Sequence, residues 1–378
     1  MTAENKDTRT TNPATASNNK KKFNIIPISI LVAVLIAGSF AVIFSRNVKS
    51  EDVLPKVDAN NLEVIKTKVP NIDDSLGWLN TEGISQEKIN SSVVIYDFWT
   101  YSCINCQRTL PYLRAIYDRY EKDGLIILGV HSPEFDFEKI HSNVEKAAKK
   151  YKVNWPVLFD DNMSNWDNFE NEFWPAKYIT DKKGQLRYEH FGEGRYEETE
   201  DVVRALLGVD KDSPRAIFPG AKETTSNEDI TPELYLNPVR GKSNINSGIT
   251  KVEKEVKPTL NNITYFGNID SQLDRTVLQE VGSKMLLNFK AAEVNLVAEN
   301  INADKSQVAK LKVELDGKPI PKNMRGKDIK VESNGDTCVE VSSPDLVNII
   351  NAKKITQGIL TFSAQQKNIA LYSFTFGS

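Results

Sequence analysis

Two cysteines separated by two residues, Cys103 and Cys106, follow an apolar run of β type, Val93-Val94-Ile95-Tyr96, and precede a segment of helical periodicity that ends near Tyr120. A strand that delivers a Cys-x-x-Cys pair onto the first turn of a helix is the arrangement of a redox dithiol. The rest of the chain reads as what places, protects or serves that pair.

At 378 residues the chain has room for two domains plus flanking segments. Its 48 Lys and Arg against 51 Asp and Glu leave a net charge of -3, without the basic field that nucleic-acid binders use. The only further cysteine is Cys338, so no disulfide framework holds the fold together. Stability has to come from ordinary cores.

Residues 1–22 are rich in Thr, Asn, Ser and Lys and lack aromatics up to Lys22, the composition of a disordered tail. From Phe23 to Ser45 no charge interrupts an apolar stretch long enough to cross a bilayer as a helix. The alternatives are a cleaved signal peptide and a buried soluble helix. Lys20, Lys21 and Lys22 before the span predict a cytoplasmic N-terminus, although Arg46 and Lys49 weaken the asymmetry. The expectation is a single-pass anchor in the cell membrane, a polar spacer over residues 46–69, and the remainder outside, where disulfide chemistry operates.

From Pro70 the pattern is βα. Residues 77–90 read as a hairpin region, Val93 to Phe98 as a strand, and Leu110, Leu113, Tyr117 and Tyr120 as one face of a helix holding Pro111. Leu125 to Val130 suits a central strand. A helix marked by Phe137, Ile140, Val144, Ala148 and Tyr151 follows, then a strand over 156–159 and a short helix over 165–173. After Trp174-Pro175, the runs 176–179 and 185–191 flank the turn Asp181-Lys182-Lys183-Gly184 as an antiparallel pair. Val202, Val203, Leu206 and Leu207 mark a closing helix.

Strand, cysteine pair, helix, strand, helix, strand, proline with hairpin, helix is the order of the thioredoxin fold with an inserted βα unit. Residues 70–210 resemble the extracytoplasmic thioredoxin-like proteins of the TlpA class, closest to the soluble part of DipZ-type proteins. The likeness lies in Asp97-Phe98-Trp99-Thr100-Tyr101-Ser102-Cys103-Ile104-Asn105-Cys106-Gln107-Arg108, Gly129-Val130-His131-Ser132-Pro133-Glu134 and Phe191-Gly192-Glu193-Gly194. It implies a three-layer α/β/α fold and thiol-disulfide exchange.

A helix N-terminus offers unpaired N–H groups that favour a thiolate, so Cys103 is the expected nucleophile and Cys106, one turn on, the resolving thiol. The redox-active Cys103–Cys106 pair then needs no other cofactor. By the resemblance, Asp97 is the proton acceptor for Cys106, Glu134 matches an active-site acid, and Pro175 matches the cis-proline facing the dithiol. Glu134 reads equally as charge compensation at a helix start. Trp174, Trp99, Ile104 and Asn105 complete the expected substrate contact. His131, His141 and His190 fit no close-spaced metal pair, and cysteines that must cycle make zinc a poor fit.

No His or cation lies between the cysteines, which gives a weak preference for reductase or isomerase work, and the resemblance points the same way, toward reduction. The resemblance implies disulfide- or thiol-containing exported proteins as partners. DipZ-type proteins carry a multi-span electron-transfer domain that is expected to be absent here, so the resemblance implies a separate CcdA-type membrane protein as donor if the dithiol is recycled by reduction, and a membrane oxidase if it is an oxidant. The rival reading is a redox-inert scaffold that presents the following domain to a surface ligand.

Residues 211–257 have linker composition, although Thr231-Pro232-Glu233-Leu234-Tyr235-Leu236 again matches the DipZ-type pattern. Residues 258–378 read as short alternating strands, a sandwich or jelly roll that resembles the carbohydrate-binding-module-like domain of DipZ-type proteins. All five tryptophans precede it, leaving Tyr235, Tyr265 and Tyr372 as candidate sugar platforms. Cys338, on the face of Glu340 by alternation, reads as an inert thiol.

Overall fold

The computed structural model describes residues 61–218, 229–241, 245–302 and 308–378. The expected tail, membrane span and most of the spacer lie outside those residues. No helix among the described residues is long and apolar enough to cross a membrane.

The first half holds β1 (Trp78–Leu79), α1 (Gln86–Asn90), β2 (Val93–Trp99), α2 (Ile104–Tyr120), β3 (Leu125–His131), α3 (His141–Tyr151), β4 (Val157–Phe159), α4 (Ser164–Asn168), β5 (Ala176–Thr180), β6 (Leu186–Phe191) and α5 (Tyr196–Leu207). The sheet order is β1-β4-β3-β2-β5-β6. Strands β2, β3 and β4 run parallel, while β5 and β6 join antiparallel. Every residue of β2 is buried, as a strand covered on both faces requires. Val93 and Ile95 pack with Leu110, Leu113, Val144 and Val202, whereas Val94, Tyr96 and Phe98 pack with Ile89, Trp166 and Phe169. That is the α/β/α sandwich of a thioredoxin-like fold.

Three local expectations change. The region 77–90 is no hairpin: β1 pairs with β4, placing Trp78 opposite Leu158, and Ser85 caps α1 by accepting the Lys88 N–H. The helix expected from Phe137 starts at His141, because Asp136–Lys139 forms a 3-10 turn that directs the Glu138 side chain inward. Helix α4 ends at Asn168, before Glu170 takes a positive φ of 56°.

The second half is all β: β7 (Leu234–Tyr235), β8 (Gly248–Val252), β9 (Asn262–Ser271), β10 (Thr276–Leu278), β11 (Lys284–Asn300), β12 (Ala309–Leu315), β13 (Lys318–Pro319), β14 (Ile329–Val331), β15 (Thr337–Val341), β16 (Asp345–Ala364) and β17 (Ile369–Gly377). Strands β7 and β8 fall within the stretch expected to be linker; polar composition concealed them because each is held by main-chain pairing, to β17 and β9 respectively. The first half of β11 pairs with β9 and its second half with β17, while β10 bridges β9 and β17. These pairings close around Met285, Phe289, Leu296, Phe362 and Phe374.

The two halves share a core. Val277, Val297, Leu346, Ala370 and Tyr372 join the cluster beneath α2, with Tyr372 packed 5.1 Å from Phe135 and 4.7 Å from Phe137 between ring centroids. The all-β half therefore bears directly on the loop after β3, next to the cysteines.

Candidate redox site

Cys103 is the N-cap of α2, in extended conformation, and its sulfur accepts the Cys106 N–H at 3.4 Å. The Cys103 thiol in turn points to the Trp174 carbonyl, 3.9 Å away. Cys103 is half-buried and Cys106 fully buried, both as free thiols. Burial, and next the neighbouring Cys103 sulfur, push the Cys106 thiol well above its usual range. The Trp174–Pro175 bond is cis, and the Pro175 carbonyl accepts the Gly192 N–H at 2.8 Å. Cys103, Cys106, Trp174 and Pro175 are thus brought together, with Ile104 and Asn105 on the first turn between the sulfurs.

Behind Cys106, Asp97 of β2 stands opposite Lys177 of β5. Burial raises the Asp97 carboxyl to about 6, against the opposing pull of the Lys177 charge. Burial depresses Lys177, against the attraction of Asp97 and then of Cys106. Lys177 was not singled out in the sequence. Its signal there was a lysine sharing the face of Ile179 in an otherwise apolar strand.

Glu138 was also missed. Fully buried, it accepts the Ser102 N–H at 3.2 Å and the Ser102 hydroxyl at 2.7 Å through one oxygen, and the Glu134 and Phe135 N–H groups at 2.7 and 2.9 Å through the other. One carboxylate thereby ties the residue before Cys103 to the loop after β3. Burial nevertheless raises its proton affinity, with the Ser102 hydrogen bond opposing. The same loop accepts the Trp174 indole N–H at the Ser132 carbonyl, 2.9 Å away.

The all-β half reaches the site in two places. Arg108, one turn beyond Asn105, donates to Glu193 at 3.2 Å and to Glu293 of β11 at 2.5 Å. On the other side Glu134 accepts the Tyr235 hydroxyl at 2.7 Å and pairs with Arg240 at 3.0 Å. Among the described residues no group of three or more His, Cys, Asp or Glu is placed to hold a metal ion.

Residues 64–189 match the AhpC/TSA family, and residues 231–377 match the thioredoxin like C-terminal domain. Protein DipZ of Mycobacterium bovis is 42% identical over 172 residues, which are 45% of this chain and 24% of that protein. The chain thus spans about a quarter of the length of that relative. The thiol-disulfide oxidoreductase YkuV of Bacillus subtilis is 28% identical over 143 residues, 38% of this chain and 96% of its own. The solution structure of a thioredoxin-like protein in the oxidized form aligns with 38% of this chain and 98% of its own, at 26% identity and a TM-score of 0.35.

Several expected contact residues lie elsewhere. Trp99 is buried against His131, leaving no ring surface for a substrate, because the end of β2 is covered from both sides. In the C-terminal domain, Tyr265 and Tyr372 are buried and the Tyr235 ring is covered by the Arg240 guanidinium at 3.5 Å, so none is an open sugar platform. Cys338 is buried between β12 and β14, opposite Lys312 and Lys330.

Proposed function

We propose that the chain is a thiol-disulfide oxidoreductase of exported proteins, held at a membrane by residues 23–45 and working in the reductase direction. The placement of the two sulfurs carries the reading: a half-buried Cys103 at a helix N-terminus, bonded to the N–H of a fully buried Cys106. A partly accessible sulfur at that position is the one a substrate disulfide can reach, while the buried one waits.

The Cys103 thiolate attacks one sulfur of a substrate disulfide, forms a mixed disulfide and releases the other substrate sulfur as a thiolate. Cys106 then gives its proton to Asp97, and its sulfur attacks Cys103. This closes the Cys103–Cys106 disulfide and frees the second substrate thiol. The substrate gains two electrons from the two cysteines; Asp97 gives the Cys106 proton up to one departing substrate thiolate, and water, which took the Cys103 proton when its thiolate formed, supplies the other. A separate membrane donor of the CcdA type returns the electron pair. The Trp174 carbonyl faces Cys103, where an extended substrate strand can lie.

Reduction of a protein disulfide with dithiothreitol as electron source tests the chemistry. Turnover is expected in the wild-type chain and absent in Cys103→Ser; a wild-type chain without turnover sinks the reading in favour of an inert scaffold. In Cys106→Ser the mixed disulfide persists, so mass spectrometry of the trapped species names the partner. A Cys103–Cys106 pair found mainly oxidised in cells counts against the reductase direction.

A further inference from the structure

We propose that Tyr235 and Arg240, from the C-terminal domain, are positioning residues of the redox site that set the thiolate reactivity of Cys103 through Glu134. The inference rests on the dithiol reading above. It deepens that reading by giving the C-terminal domain a part in the chemistry.

A continuous set of contacts connects the domain to the sulfur. The Arg240 guanidinium lies 3.5 Å over the Tyr235 ring, and both groups converge on one oxygen of Glu134, at 3.0 and 2.7 Å. The Glu134 side chain is only 7% exposed, so these partners replace much of its hydration. The Tyr235 hydroxyl also lies 3.0 Å from Glu233. The Glu134 N–H and the neighbouring Phe135 N–H are bonded to Glu138, whose other oxygen holds Ser102, the residue before Cys103. Upstream on the same loop, Ser132 holds the indole of Trp174, whose carbonyl faces the Cys103 sulfur. The loop therefore fixes both sides of the sulfur, and the C-terminal domain fixes the loop.

The position of the strap is itself secured. Strand β7, which carries Tyr235, pairs with β17, and the Leu236 N–H donates to the Tyr372 carbonyl at 2.8 Å. The charges around Cys103 are of mixed sign. Glu134 and Glu138 stand on the loop, Arg108 and Glu193 lie beside Asn105, and Asp97 and Lys177 lie behind Cys106. Among these, Arg240 is the cation set against the loop carboxylates. Removing it leaves more uncompensated negative charge on the loop that is bonded to Ser102 and Trp174 on either side of Cys103, which disfavours a thiolate there.

The test is the pH dependence of Cys103 alkylation by iodoacetamide in the full chain. In Tyr235→Phe combined with Arg240→Gln, the midpoint is expected to rise by roughly half a pH unit, read as about threefold slower alkylation at neutral pH. Arg240→Lys should recover most of the rate. Glu134→Gln should shift the midpoint the other way, because Arg240 then lacks its partner. Midpoints unchanged in folded variants overturn the inference, since a purely structural strap would change the thermal melt and not the titration. If the combined variant does not fold, Glu134→Gln decides: a lowered midpoint supports the inference and an unchanged one overturns it. Absence of disulfide turnover in the wild-type chain is a separate result that removes the functional reading itself.

Discussion

Asp97 and Lys177 face each other across β2 and β5 in the interior, and neither charged end meets a hydrogen-bond partner among the described residues. Each charge offsets part of the other's cost of leaving water, so the pair has to be treated as a unit. The dithiol lies against this pair, and Lys177 is attracted to both Asp97 and Cys106.

With burial raising Asp97 to about 6, the rate of disulfide reduction should rise as pH rises through that value if the proposed transfer of the Cys106 proton to the unprotonated carboxylate operates. Asp97→Asn is expected to lose this limb and to slow resolution on the order of 100-fold. Lys177→Met removes the charge that holds Asp97 down, so the limb should move up by about one pH unit. A kcat/KM profile that Lys177→Met leaves in place would count against a role for the pair.

Glu138 satisfies the Ser102, Glu134 and Phe135 N–H groups from the interior. Glu138→Ala would strand these three N–H groups and the Ser102 hydroxyl at once and is expected to cost more than ~3 kcal/mol. Glu138→Gln keeps the shape and part of the accepting capacity and should cost about half as much. Urea unfolding of the two variants checks the ranking; equal stabilities would show that the donors find other partners.

His131 is fully buried, and burial depresses it to about 3. Its folded-state proton affinity lies below that of the unfolded chain, so acid favours unfolding: between pH 7 and 5 this one residue should remove about 2 kcal/mol of stability. His131→Phe should therefore lose less stability over that interval than the wild type. Asp97 works in the opposite sense between its usual value of 3.8 and about 6, which partly masks the effect in the wild-type chain alone. The comparison of unfolding free energies at the two pH values isolates the histidine.

Arg108 joins Glu193 and Glu293 with all three side chains no more than 27% exposed. Arg108→Met should cost about 1–2 kcal/mol, while Lys66→Ala, which breaks a pair 50% and 79% exposed, should fall within ~0.5 kcal/mol. A double-mutant cycle on Arg108 and Glu293 is expected to give a positive coupling that persists in salt; zero coupling would mean the contact is incidental.

Much of the site could be read locally. The run Val93 to Tyr96, the cysteine pair and the helix that follows are adjacent in sequence, so hydrophobic pattern and spacing place the sulfurs at the strand-to-helix junction. Pro175 and Asp97 entered through resemblance, and both lie against the pair. Trp99 was misplaced because one side chain at a strand end does not reveal whether another element covers it. The expected linker hid β7 for a related reason: a strand of two residues has no pattern of its own and exists by pairing with β17.

What the amino-acid sequence alone determined is therefore the chemistry: which atoms can exchange a bond, and the local elements that carry them. Tertiary structure decided the surroundings of those atoms. Glu138 reaches Ser102 across 36 residues, Tyr235 reaches Glu134 across 101, and Arg108 reaches Glu293 across 185. Contacts of that range arise only when separately patterned elements are packed together. Burial, which sets the proton affinities of Asp97, Lys177 and Cys106, comes into being in the same step.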